Sequence, residues 1–283
     1  MPVPPQPSLR QALEHTRALG VDRLDAQMLL LLALKRDPHD RAWLLSHDHD
    51  LLSPDAESRL NELARRRLQS EPMAYLQGEK EFFGLRLQVD ARVLVPRPDT
   101  ETLVSWALEV LSLLNTKARL VDLGTGSGAI ALAIKHHRLD AEVTATDASP
   151  DALAVAQANA ERLNLTVRFV RGSWLSAMPN ERFDLIVSNP PYIAEDDAHL
   201  PALVHEPKTA LTSGSDGLRD LRTLIDTAPD ALFPGGWLLL EHGHDQTESV
   251  RALMLARGFE RVSSRVDIAG IARCTGGAWP EQR

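Results

Sequence analysis

Residues 122–128 read DLGTGSG and stand between an apolar, strand-like segment and a stretch of helical periodicity. Gly124, Gly126 and Gly128 let the chain turn tightly and let its backbone approach a ligand where a Cβ would interfere. The free N–H groups at the start of the following helix favour a negatively charged group. The stretch therefore predicts a strand–loop–helix unit with a ligand at the end of the strand.

Strand and helix patterns alternate on both sides of this loop. The strand segments are residues 119–124, 142–147, 166–172, 183–189 and 236–243, and the helical segments are residues 128–138, 150–163, 217–232 and 245–257. This alternation predicts an α/β fold in which a mostly parallel sheet carries helices on both faces. Asp147 ends the second strand, nineteen residues after Gly128. There its carboxylate can accept hydrogen bonds from both hydroxyl groups of a ribose.

The loop and Asp147 together indicate a cofactor that contains adenosine. Gly124, Gly126 and Ala129 also satisfy the relaxed G-x-G-x-x-G/A pattern of nicotinamide dinucleotide binding, and a tight turn without a ligand is the remaining alternative. Asp122 favours S-adenosylmethionine. A carboxylate near the loop suits an amine and a sulfonium cation, and it would repel a pyrophosphate.

The segment Asn189-Pro190-Pro191-Tyr192 directly follows the fourth strand. Two consecutive prolines have no N–H to donate, so their carbonyl groups are free to face the cleft at the strand's carboxyl end. Asn189 adds a side-chain carbonyl, and Tyr192 adds a flat wall. The segment can therefore accept both N–H donors of a planar NH₂ group, unless it only terminates the strand.

A conjugated nitrogen is a poor nucleophile because its lone pair is delocalised. Hydrogen bonds accepted from its N–H groups return electron density to nitrogen and aim it at a methyl carbon. Such positioning can contribute roughly 7–11 kcal/mol to catalysis. The segment thus predicts methyl transfer to an amino or amide nitrogen without a metal ion or a covalent nucleophile.

The N-terminal part of the chain predicts a small helical domain. Ser8 is a plausible N-cap, and Ser53-Pro54 opens a longer helix with proline at its first position. Residues 79–95 alternate at period two, which is typical of a hairpin. We therefore predict a helical N-terminal domain over residues 1–72, a hairpin linker over 73–98 and a catalytic domain over 99–283. The triplet Arg65–Arg67 is predicted to be a solvated helix face.

Composition limits the remaining function classes. The chain has 283 residues, a net charge of −8 and one cysteine, Cys274, so neither a global basic field for nucleic acid nor a disulfide is expected. Its longest apolar run, Met28 to Leu34, is too short to cross a membrane, and no signal peptide is visible. A cytoplasmic protein is expected. The histidines at 136, 137, 242 and 244 lack ligand spacing, so no metal site is predicted.

Several motifs in order resemble one family. They are EPMAYLQG, RPDTE (residues 97–101), DLGTGSG, TDASPDAL, RGSW, SNPPYI, HEPKTAL, DGL and GWLLLEHG. This series resembles the HemK/PrmC family, the glutamine N5-methyltransferases of peptide release factors, over nearly the whole chain. The resemblance implies a Rossmann-like, class I S-adenosylmethionine-dependent methyltransferase fold behind a helical N-terminal domain. The implied substrate is the glutamine amide of the Gly-Gly-Gln motif in class-I peptide chain release factors.

The resemblance also implies roles for individual residues. Catalysis would fall to Asn189, Pro190 and Tyr192, and Pro191 would join them in holding the glutamine. Contacts to S-adenosylmethionine would come from Gly124, Thr125, Gly126, Ser127, Gly128, Asp147, Trp174 and Asn189.

Other roles stay open at this stage. Arg97 and Glu101 are expected to form an i, i+4 ion pair. Glu206-Pro207 either closes the active-site loop or forms an ordinary turn.

Three other readings of the whole chain compete with this one. A nucleic-acid amino-methyltransferase acting on adenine N6 or cytosine N4 faces the same nitrogen problem. It would also have to extract a base and hold phosphates, for which the sequence has no inserted basic region. A nicotinamide dehydrogenase has no evident use for Asn-Pro-Pro-Tyr. A non-catalytic adenosine-binding module would bind the cofactor and transfer no methyl group.

Overall fold

A computed structural model describes residues 6–114 and 117–281 of the chain. The α-helices of this part are α1 Leu9–Ala18, α2 Arg23–Ala33, α3 Arg41–Ser46, α4 Pro54–Leu68, α5 Met73–Gln77, α6 Glu101–Ser112, α7 Ala129–His137, α8 Pro150–Arg162, α9 Arg219–Ala231 and α10 Thr247–Arg257. The strands are β1 Glu79–Phe82, β2 Leu85–Gln88, β3 Arg119–Leu123, β4 Glu142–Asp147, β5 Arg168–Arg171, β6 Phe183–Ser188, β7 Leu232–Glu241, β8 Glu260–Val266 and β9 Ala272–Ala278.

The first four helices form the predicted helical unit around their own core. Ser8 caps α1 in a capping box: its hydroxyl accepts the Gln11 N–H, and the Gln11 side chain accepts the Ser8 N–H at 2.8 Å. Ser53 caps α4, whose first residue is Pro54. Leucines of α2, together with apolar residues of α1 and α4, make the buried cluster of this unit. The helices predicted for the N-terminal part of the chain are confirmed.

The chain divides into two compact units after Gly78, which lies later than the predicted boundary at residue 72. The short helix α5 accounts for the difference, because Met73 and Leu76 pack against the core of the helical unit. Gly78 ends α5 with φ of +75°. The hairpin β1–β2 belongs to the second unit rather than to a separate linker.

The predicted hairpin is shorter than its sequence pattern. Its strands pair from Glu79 opposite Gln88 to Phe82 opposite Leu85 and end there. Beyond Gln88 the strand does not continue: residues 91 and 92 form a turn, Ala91 is exposed, and Val93 donates its N–H to the Asp90 carbonyl at 3.1 Å. Val89, Val93 and Val95 are buried, so these apolar positions reflect burial and not pairing to another strand.

Seven strands form one sheet in the order β5-β4-β3-β6-β7-β9-β8. The first five in this order are parallel, while β9 is antiparallel to both of its neighbours. After β3 the chain builds outward through β4 and β5, and it then returns to place β6 on the other side of β3. The strand order thus reverses between β3 and β6, which is where open α/β sheets bind ligands.

Helices cover both faces of this sheet, as the sequence predicts. Along β3, Leu120 packs into the core beneath α6 and α7, and its neighbour Val121 packs into the opposite core with α9 and α10. Residues 120–123 of β3 are all buried, as expected for a strand covered on both faces, and Asp122 is the one charged residue among them.

The arginine triplet of α4 is engaged in ion pairs. Arg65 contacts Glu62 at 2.6 Å, and Arg67 contacts Asp25 at 2.7 Å. Arg66 contacts Glu71 at 2.5 Å. The predicted solvated helix face therefore carries an acidic partner for every arginine. No helix within the described ranges combines the length and the apolar content that crossing a bilayer requires.

Candidate active site

A cavity of about 600 Å³ lies in the sheet unit at the carboxyl ends of its parallel strands, a volume in the range of small-molecule sites. The segments that line it include Arg92–Leu94, Gly124, Gly126, Asp147–Ser149, Gly172–Trp174, Asn189, Pro191, Pro207–Ala210 and Thr212. The cavity therefore joins the glycine loop after β3 to the Asn-Pro-Pro-Tyr segment after β6, as expected for a switch point.

The glycine loop crosses the end of β4. The N–H groups of Gly124 and Thr125 both donate to the Thr146 carbonyl, at 2.9 and 2.8 Å. Gly124 and Gly126 have φ of +75° and +56°, in the left-handed region that disfavours other residues. No described atom lies within 4 Å of the place where a Cβ of Gly126 would stand. Here the backbone is bare, so a ligand can approach it closely.

Thr125, Ser127 and Gly128 do not line the cavity. Thr125 is buried, and the Ser127 carbonyl accepts a hydrogen bond from the buried side chain of Asn159. Gly128 begins α7 with φ of +85°, and a Cβ there would lie 2.9 Å from Leu132. These three residues support the loop on the side away from the cavity. Their contacts to the cofactor stay predictions.

Asp147 lies at the cavity with both carboxylate oxygens already oriented. One oxygen accepts the Gly126 N–H at 2.9 Å, and the other accepts the Ser149 N–H at 2.9 Å. Each oxygen keeps lone-pair capacity for a further donor. The carboxylate thus holds the glycine loop and keeps acceptor capacity at the cavity, and its contact to a ribose stays a prediction.

The position of Asp122 differs from the sequence-based expectation. Its carboxyl group is fully buried beneath the loop, where one oxygen accepts the Thr125 hydroxyl at 2.6 Å and the Ala131 N–H at 3.2 Å. Its other oxygen has no hydrogen-bond partner among the described residues. Burial raises the pKa of Asp122 to about 7. Asp122 therefore supports the loop from beneath. The sequence had instead indicated a carboxylate that faces a bound cation.

Trp174 lines the cavity from the short turn after β5. It begins a 3₁₀ helix with φ of +51°, and its indole ring lies against Gly124. Gly172 makes room for this turn, because a Cβ there would lie 2.2 Å from the Ala177 side chain. An aromatic ring thus forms a wall of the cavity at the position where the resemblance implies a contact to S-adenosylmethionine.

The Asn-Pro-Pro-Tyr segment divides between the cavity and the interior. Asn189 and Pro191 line the cavity, whereas Pro190 is buried. Asn189 donates its side-chain N–H to the Thr100 hydroxyl at 3.2 Å. Tyr192 does not line the cavity as the expected flat wall. It packs beside the core next to α9 and α10 and donates its hydroxyl to Glu241 at 3.3 Å.

The Arg97–Glu101 ion pair predicted from spacing is wrong. Arg97 precedes a 3₁₀ turn in an extended conformation, so it does not lie one helical turn from Glu101. Its guanidinium instead contacts both oxygens of the Glu206 carboxylate, at 2.8 and 2.9 Å, and Glu101 accepts the Phe83 N–H. Burial raises the pKa of Glu206, and Arg97 opposes this shift. Pro207, the residue after Glu206, lines the cavity, so the Arg97–Glu206 ion pair lies at the start of the loop 207–212.

One contribution to the site was left open by the sequence pattern, and another was missed. The pattern allowed Glu206-Pro207 to close the active-site loop or to form an ordinary turn; in the structure Pro207–Ala210 and Thr212 line the cavity. Buried Asn159 exchanges two hydrogen bonds with the Gln88 backbone, and it also donates to the Ser127 carbonyl. In the sequence Asn159 is one polar residue within a helical pattern, so nothing there indicated that it connects the hairpin to the glycine loop.

The chain matches known proteins over nearly its whole length. The family model described as "Methyltransferase small domain" matches residues 104–264, and the one described as "PrmC N-terminal domain" matches residues 8–78. A "Release factor glutamine methyltransferase" of Bordetella pertussis is 51% identical over 91% of this chain and 95% of its own length. A relative of the same name in Coxiella burnetii is 45% identical over 89% of this chain and 90% of its own length.

A solved structure supports the fold. A methyltransferase from Pyrococcus furiosus is 21% identical, with a TM-score of 0.54 over 78% of this chain and 99% of its own. The predicted Rossmann-like, class I methyltransferase fold with a helical N-terminal region is confirmed. Since these relatives are 45–51% identical over most of both chains, the chain belongs to the family of release factor glutamine methyltransferases.

Proposed function

We infer that this chain transfers a methyl group from S-adenosylmethionine to the side-chain amide nitrogen of the glutamine in the Gly-Gly-Gln motif of class-I peptide chain release factors. One observation carries this inference. The glycine loop and Asn189 border the same cavity, so a methyl donor held by the first can meet an amide held by the second. The reaction takes place in the cytoplasm, where release factors act, and nucleic acid is not the acceptor.

The residues around the cavity fit S-adenosylmethionine. The bare backbone at Gly126 accepts close approach, Asp147 offers acceptors to the ribose hydroxyls, and Trp174 gives a flat surface for adenine. When bound, this cofactor supplies an electrophilic methyl carbon. The remaining chemistry is a matter of binding and orienting the amide.

The amide is held by Asn189 at the cavity and by the main-chain carbonyl of Pro190, which lies between the cavity-lining residues Asn189 and Pro191 although the Pro190 ring is buried. The Asn189 NH₂ group is turned towards Thr100, which leaves its carbonyl oxygen free to accept one amide N–H. The Pro190 carbonyl accepts the other N–H. These bonds raise the electron density on nitrogen as its new bond to the methyl carbon forms and the carbon–sulfur bond breaks. The methylated nitrogen then gives one proton to solvent water, so the net change at nitrogen is the exchange of N–H for N–CH₃.

The test is methyl transfer from labelled S-adenosylmethionine to unmethylated release factor, with two comparison substrates: a Gln→Ala variant of its Gly-Gly-Gln motif, and duplex DNA. We expect label on the first protein alone, at the glutamine amide by mass spectrometry, and its loss in Asn189→Ala. Label on DNA alone would assign the chain to the nucleic-acid amino-methyltransferases. Cofactor binding without transfer to any acceptor would leave an adenosine-binding module.

A further inference from the structure

One face of helix α8 contacts the glycine loop at two points. Ala156 and Asn159 are three residues apart in the helix, so their side chains lie on the same face. A Cβ added to Gly128 would lie 3.2 Å from the Cβ of Ala156. Asn159 donates its side-chain N–H to the Ser127 carbonyl at 2.9 Å. The end of the glycine loop therefore lies directly against α8.

The side chain of Asn159 is fully buried, and three hydrogen bonds fix its orientation. Its carbonyl oxygen accepts the Gln88 N–H at 2.7 Å, while its NH₂ group donates to the Gln88 carbonyl at 3.0 Å and to the Ser127 carbonyl. The reverse orientation would place the oxygen opposite two carbonyl groups and the NH₂ group opposite an N–H, so these contacts allow one orientation alone. Both N–H donors of the side chain are thus in use.

The two bonds to Gln88 fix the end of the hairpin. Gln88 is the last residue of β2 and lies opposite Glu79 of β1. A strand at the edge of a sheet leaves a row of N–H and carbonyl groups unpaired. The Asn159 amide pairs with both backbone groups of Gln88, as a residue of a third strand would. A side chain of α8 therefore determines where the chain leaves the hairpin.

Asn159 joins two walls of the cavity without lining it. On one side, Ser127 directly follows Gly126, which lines the cavity. On the other side, Gln88 precedes the segment Arg92–Leu94, which lines it as well. If one wall moved alone, a buried backbone group would lose its hydrogen-bond partner, which is unfavourable. The three bonds therefore favour movement of the glycine loop and the end of β2 together.

We propose that Asn159 is a positioning residue that couples the glycine loop to the hairpin, so that S-adenosylmethionine bound at the loop also holds β2 in place. This inference rests on the proposed function, which places S-adenosylmethionine in this cavity. Asn159 acts through the backbone of Ser127 and Gln88 and not through contact with the cofactor. Its variants should therefore change both the affinity for the cofactor and the response of the hairpin to cofactor binding.

A second contact between α8 and the hairpin provides a control. Arg162 forms an ion pair with Glu79 at 3.2 Å, and both side chains are partly exposed, so the pair stabilises the hairpin little. No hydrogen bond joins Arg162 to the glycine loop within the part of the chain that the structure describes. Arg162→Gln therefore removes a contact to the hairpin and leaves the connection to the loop intact.

The first measurement is calorimetric titration of the full-length protein with S-adenosylmethionine. Asn159→Asp and Gln157→Glu both replace an amide by a carboxylate in α8, but Gln157 is exposed. Asn159→Asp places an oxygen where the Ser127 and Gln88 carbonyls need a donor, so Kd should rise about 10- to 100-fold. Gln157→Glu and Arg162→Gln should change Kd less than about twofold. An unchanged Kd in Asn159→Asp would overturn the proposal.

Hydrogen exchange separates coupling from a general loss of stability. In the wild type, saturating S-adenosylmethionine should slow amide exchange in residues 122–128 and also in residues 79–89, although the latter do not line the cavity. Asn159→Ala removes the three bonds without adding a charge, and alanine suits a helix, so this variant serves even where Asn159→Asp does not fold. At saturating cofactor it should still show slowed exchange in residues 122–128 but not in residues 79–89.

Two results of the exchange measurement would overturn the coupling. One is a wild-type hairpin whose exchange does not respond to the cofactor, and the other is a hairpin that responds equally in Asn159→Ala. Both measurements need no methyl acceptor, which keeps this inference apart from the proposed substrate. A coupled response in a protein that methylates no release factor would support the role of Asn159 and reject that substrate.

Discussion

Trp174 and Gly124 fit against each other at the wall of the cavity: a Cβ added to Gly124 would lie 3.1 Å from the indole ring. Gly124 also has φ of +75°, so this position needs glycine both for its backbone conformation and for the space that the ring occupies. Trp174 is itself in the left-handed region, at φ +51°. The aromatic wall and the glycine loop are therefore fixed relative to each other.

Replacing Gly124 with alanine should weaken cofactor binding about tenfold or more, because the methyl group strains the loop and displaces Trp174. Isothermal titration with S-adenosylmethionine measures the change. Gly270→Ala is the matched control: Gly270 has a similar φ of +80° at the β8–β9 turn, outside the cavity lining. Equal affinities for the Gly124 variant and the wild type would contradict the packing argument.

Asp147→Asn should weaken S-adenosylmethionine binding about 10- to 100-fold, since the amide replaces one acceptor oxygen by a donor. The donor would face either the Gly126 or the Ser149 N–H, which both bond to the carboxylate in the native structure. Equilibrium titration checks this, with Asp151→Asn as the control because Asp151 is exposed in the first turn of α8. If both variants bind alike, Asp147 does not hold the ribose.

The sheet and the two loops that face the cavity could be predicted from local sequence patterns. Strands buried on both faces leave continuous apolar runs, and the Gly124–Gly128 and Asn189–Tyr192 segments carry their chemistry within a few residues. Tyr192 shows the limit of such patterns. The same motif could turn its ring towards the ligand or towards the core, and the choice depends on the buried Glu241, 49 residues later.

Contacts between distant positions also escaped prediction. Arg97 and Glu206 are 109 residues apart, and Asn159 and Gln88 are 71 residues apart. Local spacing favoured the nearer partner Glu101, but a proline at the first position of the following turn kept Arg97 outside the helix. Such pairs arise from the tertiary arrangement, so the residue types alone do not select them.

Arg97→Gln should lower cofactor affinity more at pH 8 than at pH 5.5. The variant leaves the Glu206 carboxylate, whose side chain is 2% exposed, without its cation, and the unpaired charge disturbs the neighbouring loop 207–212. Burial raises the pKa of Glu206 and the variant lacks the opposing Arg97, so protonation of the carboxyl group reduces this cost as the pH falls. Titrations at both pH values test the difference. The double variant Arg97→Gln/Glu206→Gln should regain much of the affinity at pH 8; no recovery would mean that Arg97 acts elsewhere.

Asp122→Asn should flatten the pH dependence of stability. The pKa of Asp122 is about 7 in the folded protein, against a model-peptide value of 3.8 for an exposed aspartate. Between these values the folded state binds the proton more tightly, so the contribution of Asp122 to the free energy of unfolding falls as pH rises from about 4 to 7. Urea unfolding at pH 5 and pH 8 should show a smaller difference for the variant. The same difference in both proteins would contradict the buried, protonated state of Asp122.

Deleting residues 1–78 should weaken binding of the release factor and leave the affinity for S-adenosylmethionine within about twofold. A single glutamine side chain offers far less contact than the ~800 Å² per partner of a stable protein interface, so the helical unit is expected to supply docking surface. Its core and the cores of the sheet unit are separate clusters, and the cut at Gly78 falls between the two units. Cofactor titration therefore checks that the remaining unit is folded, while KM for the release factor reports docking. An unchanged KM would assign recognition of the release factor to the sheet unit, and a lost cofactor site would mean that the sheet unit needs the helices to fold.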